Sequence, residues 1–258
     1  MVSVIINYCS NEKIFIDAVL TECSKFSDDI VVSYGSKLYD GAPEDLDHIK
    51  DCKNKYPSIN FVEYEVDLSI DLSMFKRPTA YWHNKARYTG VCALKNNDWV
   101  FVIDCDEIPE GDKVKQWLTL IKPNKQFCYK MSNYWYFKDP TAQATTYEDS
   151  VLLIHKDNLT LNNIFSDYER DDTIKLSKCI LQRQIKGLDS KPMWHHFSAV
   201  RSKNGLTHKF KHWGHNSDIF KNVDVEKLIE YIYHNNEVND VVHQYKYIFV
   251  PNKFNIIV

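Results

Sequence analysis

The residues best suited to chemistry lie in Trp99-Val-Phe-Val-Ile-Asp104-Cys105-Asp106-Glu107-Ile108-Pro109, where an apolar, β-favouring run ends in three acids. Such a run reads as a buried parallel strand, and open α/β sheets bind ligands outside the carboxyl ends of their strands. Asp104 and Asp106 are one residue apart, so the period-two alternation of a strand points both to the same side. Carboxylates that close repel each other unless a cation sits between them. Hard oxygen ligands suit Mg²⁺ or Mn²⁺, ions that often bring a diphosphate with them. The chemistry expected is a metal–diphosphate site; the alternative is a solvated acidic turn after a core strand.

The elements that must position these acids follow the order strand–helix–strand–helix–strand. Val2–Ile6, Ile30–Val32 and Ile59–Val66 read as strands, with helices over Ile14–Cys23 and Glu44–Tyr56. That alternation predicts an α/β fold with a doubly wound, mostly parallel sheet. A helix over Thr79–Lys95 leads into the acidic strand and places Asn84, Arg87 and Tyr88 at i, i+3 and i+4. Further on, the pattern predicts a helix over Asp112–Ile121 and an aromatic strand over Phe127–Phe137, then a polar loop to about Asp149. Val151–His155 and Cys179–Gln184 read as strands separated by an exposed loop at Asp167–Asp172. An amphipathic helix over Asp224–His234 and a short strand at Tyr247–Val250 close the chain. In Pro192-Met-Trp-His-His-Phe-Ser198, alternation sends His195 and His196 to opposite faces, with His196 beside Ser198.

Composition narrows the function classes. The 258 residues suit one larger α/β domain, or a core domain with a short appendage. Glycine is sparse, at 7 residues, and neither a dinucleotide fingerprint nor a phosphate-loop motif is present. A net charge of −3 gives no nucleic-acid footprint. The 7 cysteines are scattered without a CxxC pair, which speaks against a zinc framework and for reduced thiols. The start of the chain is soon polar, unlike a signal peptide, and no apolar run approaches the ~20 residues of a membrane span. A soluble, cytoplasmic protein is expected.

Val2-Ser-Val-Ile-Ile-Asn-Tyr-Cys-Ser-Asn-Glu12, Asp29-Ile-Val-Val-Ser-Tyr-Gly-Ser36 and Asp104-Cys-Asp106-Glu-Ile-Pro109 resemble a GT-A glycosyltransferase of the family-2-like kind, the last in its D-x-D-E-x-P form. Met193–Ser202 and Lys209–His215 resemble a carboxy-terminal His/Arg segment of similar bacterial and viral enzymes. The high Asn, Lys, Ile and Tyr content also resembles proteins of large DNA viruses, which would place the chain in a host cytoplasm. Two departures stand out. The second strand lacks the double aspartate of family-2 enzymes, having Val32-Ser-Tyr-Gly; and Glu148-Asp149 precedes a strand-like run instead of opening a helix.

The resemblance implies a GT-A domain over residues 1–215 and a small helical extension over 216–258. It also implies transfer of a sugar from a nucleotide-diphosphate sugar, a UDP-sugar favoured, to a glycan or glycoprotein hydroxyl, with inversion as in family-2 relatives. That chemistry needs the leaving diphosphate neutralised and the acceptor hydroxyl deprotonated, both held in line. Asp106 is expected on the metal, and Asp104 on the ribose or on the metal through water. The resemblance favours His196 over His195 as a further ligand, which tilts the ion from Mg²⁺ towards Mn²⁺. Arg87 would aim at the phosphates, while Tyr8 and Asp67, closing the first and third strands, would touch base and ribose. Arg201, Lys203, Lys209, Lys211 and His215 form a basic cluster that either clamps the diphosphate or is a solvated helix face. Asn133-Tyr-Trp-Tyr136 with Asp139 reads as an aromatic sugar platform or as core. Asp149, Glu107, Glu148 and Asp139 compete as general base, the first two being carried forward.

Two other readings compete. A haloacid-dehalogenase-like phosphatase would use Asp104 as nucleophile, although its motif ordinarily sits at the first strand. A non-catalytic glycan-binding module would not need Asp104, Asp106, Arg87 and His196 together.

Overall fold

Val2–Tyr8 forms strand β1, buried along its whole length, because its branched residues meet a neighbour on each edge and helices on each face. The computed structural model describes residues 2–75, 78–95, 98–165, 169–212, 223–234, 238 and 240–258. On one edge of β1 lies β2 (Asp29–Gly35), with β3 (Asn60–Tyr64) beyond it; on the other lies β4 (Trp99–Asp104). All three pairings are parallel, and the β1–β4 register sets Asn7 beside Asp104. Parallel neighbours require crossovers, supplied by α1 (Ile16–Cys23), α2 (Leu46–Lys55) and α3 (Pro78–Ala93). Helix α3 presses close to the sheet at Gly90, where a Cβ would lie 2.4 Å from Ile5 Cγ2 and 2.8 Å from Ser33 Oγ.

After β4 the chain makes the short strand β5 (Glu107–Pro109), α4 (Gly111–Ile121), and a long hairpin of β6 (Phe127–Lys138) and β7 (Ala142–His155). Then follow α5 (Leu161–Ile164), α6 (Glu169–Ser177), β8 (Ile180–Ile185), β9 (Trp194–Val200), α7 (Lys203–His212), α8 (Val225–Tyr233) and β10 (Tyr247–Phe249). The strands join one sheet in the order β3-β2-β1-β4-β7-β6-β9-β5, with β10 on β7 and β8 on β6. β7 enters antiparallel to β4, so the sheet is parallel in its first half and mixed in its second. The protein is therefore α/β with a central sheet flanked by helices, as expected. No helix among the described residues is long and apolar enough to cross a membrane.

Three local expectations are corrected. The polar stretch before Asp149 is not a loop: β7 runs continuously from Ala142, because β6 and β10 supply its hydrogen bonds. Glu169–Asp172 opens helix α6 instead of lying in a loop, while 167 and 168 fall outside the described residues. α6 has no apolar stripe to announce it; Ile174 and Thr173 are nevertheless buried. Glu107–Pro109, a solvated acidic turn in the alternative reading, is buried and pairs with β9. At the carboxy-terminal side, α8 buries Val225, Ile229 and Ile232 against Leu206 and Phe210 of α7 and Trp135 and Phe137 of β6. The expected boundary between 215 and 216 lies outside the described residues.

Candidate active site

The carboxyl ends of β1 and β4 open into a cavity whose wall includes Asn7, Tyr8, Glu12, Glu44, Asp104, Asp106, Arg170, His196, Ser198 and Lys209. Parallel packing creates it: with Asn7 beside Asp104 and the Cys105 amide donating to the Asn7 carbonyl at 3.1 Å, both strand ends deliver their polar residues to one edge.

Asp104 is held from both sides. Its Oδ1 accepts from Asn7 Nδ2 and from Arg87 NH2, each at 3.3 Å, and its Oδ2 accepts from Arg170 NH2 at 3.2 Å. Burial alone would raise its pKa, but Arg170 and then Arg87 outweigh that and hold the carboxyl well below the usual carboxylate range. Arg87, on α3, is buried behind Asp104 and does not line the cavity. Arg170 also grips Glu107 with two bonds, NH1 to Oε2 at 2.7 Å and NH2 to Oε1 at 3.0 Å. Glu107 in turn accepts the Asp104 amide at 2.8 Å. It is fully buried beneath the cavity, where it fixes the turn between Asp104 and itself that carries Asp106.

Asp106 is buried and meets a second set of cations. Lys209 Nζ donates to its Oδ2 at 2.9 Å, with Arg201 NH2 3.7 Å from the same oxygen. Lys209 also reaches Glu12 Oε1 at 3.2 Å and Ser198 Oγ at 3.1 Å, and Arg201 bonds Glu12 Oε2. Burial pushes the Asp106 pKa up, yet Lys209, His196 and Arg201 together bring it down to about 2. For Glu12 burial prevails over Arg201 and Lys209, and its pKa is raised. Four carboxylates (Glu12, Asp104, Asp106, Glu107) thus interleave with four cations (Arg87, Arg170, Arg201, Lys209).

The histidines separate as alternation predicts. His196 and Ser198 face the cavity, whereas His195 is turned into a buried aromatic stack, bonded to the Tyr136 hydroxyl at 2.8 Å and Glu110 Oε1 at 3.2 Å. His196 Nε2 lies 3.6 Å from Asp106 Oδ1 and its Nδ1 lies 3.9 Å from Glu148 Oε2. Burial lowers the His196 pKa, but Glu148, Asp106 and Glu107 overcome it and the net change is upward. Burial leaves the His195 pKa lowered despite Glu110.

The remaining expected residues divide. Tyr8 lines the cavity. Asp67 does not; it closes a turn on Ser69, accepting its amide at 2.9 Å and its hydroxyl at 2.7 Å. Asp149 is also outside the wall, its carboxylate taken by Arg183 at 2.8 and 2.9 Å. Of the basic cluster, Arg201 and Lys209 are buried at the site, while Lys203 and Lys211 pair on the surface with Glu230 and Glu226, and His215 lies outside the described residues. Trp135 and Tyr136 are buried and Asp139 closes a turn on Thr141, so that segment is mainly core. The sequence reading missed Arg170, Glu12 and Glu44. Arg170 sits on the helix without a stripe, and the other two are bound to partners remote in sequence or to backbone amides.

The fit of a divalent ion turns on the oxygens and nitrogens left facing the cavity. Asp106 Oδ1 and His196 Nε2, 3.6 Å apart, could both ligate one ion after closing by about half an ångström, to the edge of about 3.0 Å of an octahedral shell with ligands at about 2.1 Å. Among the described residues no three His, Cys, Asp or Glu converge on one point. Mg²⁺-like ions take one or two protein ligands and complete the shell with water and substrate phosphate. Asp106 and His196 fit that pattern; Asp104, with both oxygens engaged, fits an outer position.

No protein-family model and no curated protein matches the chain. Among solved structures it is similar to Staphylococcus aureus TarS 1-349, at 13% identity and TM-score 0.44, over 90% of this chain and 77% of that one. It is similar to the inositol-1-phosphate CTP transferase of T. maritima at 10% identity and TM-score 0.48, over 82% and 96%. A third is the mannosyltransferase PcManGT of Pyrobaculum calidifontis in complex with GDP-Man and Mn²⁺, at 12% identity and TM-score 0.47. The match covers 85% of this chain and 64% of PcManGT.

Proposed function

We propose that the protein is a GT-A-type glycosyltransferase, moving a sugar from a nucleoside-diphosphate sugar to a hydroxyl of a glycan or glycoprotein. The observation that carries this is the pairing, at the carboxyl ends of parallel strands, of inward-facing Asp106 and His196 with Arg170 and Lys209 in the same wall. A departing diphosphate concentrates negative charge, and preorganised cations in a sheltered cleft are what stabilise it. Asp106 and His196 would hold Mn²⁺ or Mg²⁺, an ion that when bound neutralises the diphosphate as a Lewis acid. Asp104, fixed by Arg87 and Arg170, is oriented to accept a ribose hydroxyl or a water on that ion. Arg170 and Lys209 add positive charge beside the leaving group, and Tyr8 walls the donor. Inversion needs a carboxylate near the acceptor hydroxyl; Glu148, 3.9 Å from His196 Nδ1, would be the candidate, since Asp149 is held by Arg183 and Glu107 lies beneath the floor. In this scheme residues 1–215 carry the catalytic domain and 216–258 an extension packed upon it.

A phosphatase using Asp104 would need an oxygen free to attack phosphorus, and both already accept from guanidinium or amide groups. The test is turnover of a panel of UDP-, GDP- and dTDP-sugars with Mn²⁺, Mg²⁺ or EDTA, on wild type and Asp106→Ala. Metal-dependent release of one nucleoside diphosphate, lost in the variant, is expected. Release of phosphate from a monoester without any action on sugar nucleotides would overturn the proposal. Binding of glycans without turnover of any donor would favour the non-catalytic module.

A further inference from the structure

Glu44 lies between β2 and α2, is 8% exposed, and shares the cavity wall with Tyr8. Its two oxygens have different lives. Oε1 accepts two backbone amides, Ser10 at 3.0 Å and Asp45 at 2.8 Å, which fixes the plane of the carboxylate. Oε2 is buried and has no hydrogen-bond partner among the described residues. The hydroxyl of Tyr8 is in the same condition, buried and unpartnered, on a side chain 1% exposed. Buried polar atoms are nearly always bonded, so an orphaned acceptor and an orphaned hydroxyl in the wall of one cavity point to a ligand that supplies both partners.

We propose that Glu44 and Tyr8 read the nucleobase of the donor, and that they select a base carrying a ring N–H next to a carbonyl. This rests on the donor proposed above. Oε2 can only accept, so it requires an N–H; the Tyr8 hydroxyl can donate to the neighbouring carbonyl. Tyr39 and Tyr64 line the same cavity and add aromatic surface to the wall that a planar heterocycle would meet. Uracil, thymine and guanine present a ring N–H beside a carbonyl. Cytosine and adenine present a bare ring nitrogen at the corresponding position, which would set lone pair against lone pair. A buried group left unpaired by the wrong ligand is how sites reach large discrimination.

The test is calorimetric binding of UDP, dTDP, GDP, CDP and ADP, with Mn²⁺, to wild type and to Glu44→Gln. In the variant the two backbone amides keep the amide oxygen at the Oε1 position, so the NH₂ group takes the place of Oε2 and offers a donor where an acceptor stood. Wild type is expected to bind at least one of UDP, dTDP and GDP roughly 100-fold more tightly than CDP and ADP. Which of the three prevails separates pyrimidine from purine. Glu44→Gln is expected to lose roughly tenfold or more for that ligand while CDP holds or gains. Tyr8→Phe, which keeps the ring, is expected to weaken the same ligand and leave CDP unchanged, and it serves should Glu44→Gln fail to fold. Equal binding of all five to wild type, or an unchanged order in the variants, overturns this inference alone. Binding of none of the five overturns it together with the donor proposal.

Discussion

Replacing Lys209 with methionine tests whether the acids of the site are stable only because of their cations. The side chain is 7% exposed, and its ammonium sits 2.9 Å from Asp106 and 3.2 Å from Glu12. Its loss leaves Glu12 with Arg201, whose guanidinium bonds it, and Asp106 with that guanidinium at 3.7 Å and His196 at 3.6 Å. Removing one partner of a buried ion pair costs about 3–5 kcal/mol because the other charge stays buried. With Arg201 still present, about 3 kcal/mol at pH 7 is the expected loss. The sign of its pH dependence follows from Glu12. Burial already raises that carboxyl, and without Lys209 it rises further, so lowering the pH lets it take a proton and relieves the uncompensated charge. The difference between wild type and Lys209→Met is therefore expected to shrink between pH 7 and pH 5. Equilibrium urea unfolding at both values, in EDTA, measures it, with Lys209→Arg as the variant that restores most of the loss. A difference under about 1 kcal/mol at pH 7, or one independent of pH, would refute the reasoning from charge compensation.

Three further outcomes follow from particular contacts. Glu110, 10% exposed at its side chain, has its pKa brought down to about 2 from 4.5, burial being outweighed by His195 and Lys253. A depressed folded-state value gives stability that is present above pH 4.5 and lost as pH falls towards 2, here about 3 kcal/mol; urea titrations from pH 6 to 2.5 should show this slope in wild type and not in Glu110→Gln. Gly90→Ala places a methyl 2.4 Å from Ile5 Cγ2, so a loss of about 1–3 kcal/mol is expected, read as a drop in the thermal midpoint. Arg170→Lys removes the two-pronged grip on Glu107 and the bond to Asp104; kcat/KM for the preferred donor should fall while Arg170→Met falls further, since a lysine is a point charge without the fork.

The parts of the fold with a strong period were legible. The apolar run ending at Asp104 is β4, and the paired histidines point to opposite faces because a strand allows nothing else. Strand β7 was only half visible, since Gln143 and residues 145–150 give no apolar run and the stretch is held by pairing with β6 and β10. The site was legible where its residues are close in sequence, as Asp104 at the end of β4 and Asp106 in the turn after it are. Arg170 was hidden because α6 has no apolar stripe and its guanidinium bonds carboxylates 63 and 66 residues earlier in the chain. Glu44 was hidden because its distinction is one oxygen with two amides and one with none, which no local pattern of residue types records.

Glu12 bonds Arg201 and Lys209 across 189 and 197 residues. During synthesis at roughly 5–20 residues per second, its partners would emerge on the order of ten seconds or more after it does. Late in that interval β1, β2, β3 and β4 have all been made and can pair with one another. The carboxylate at the head of their crevice, however, is without its countercharges. This wall of the cavity is consequently a late product of folding, and a chain that stops short of Arg201 and Lys209 would carry Glu12 without its countercharges.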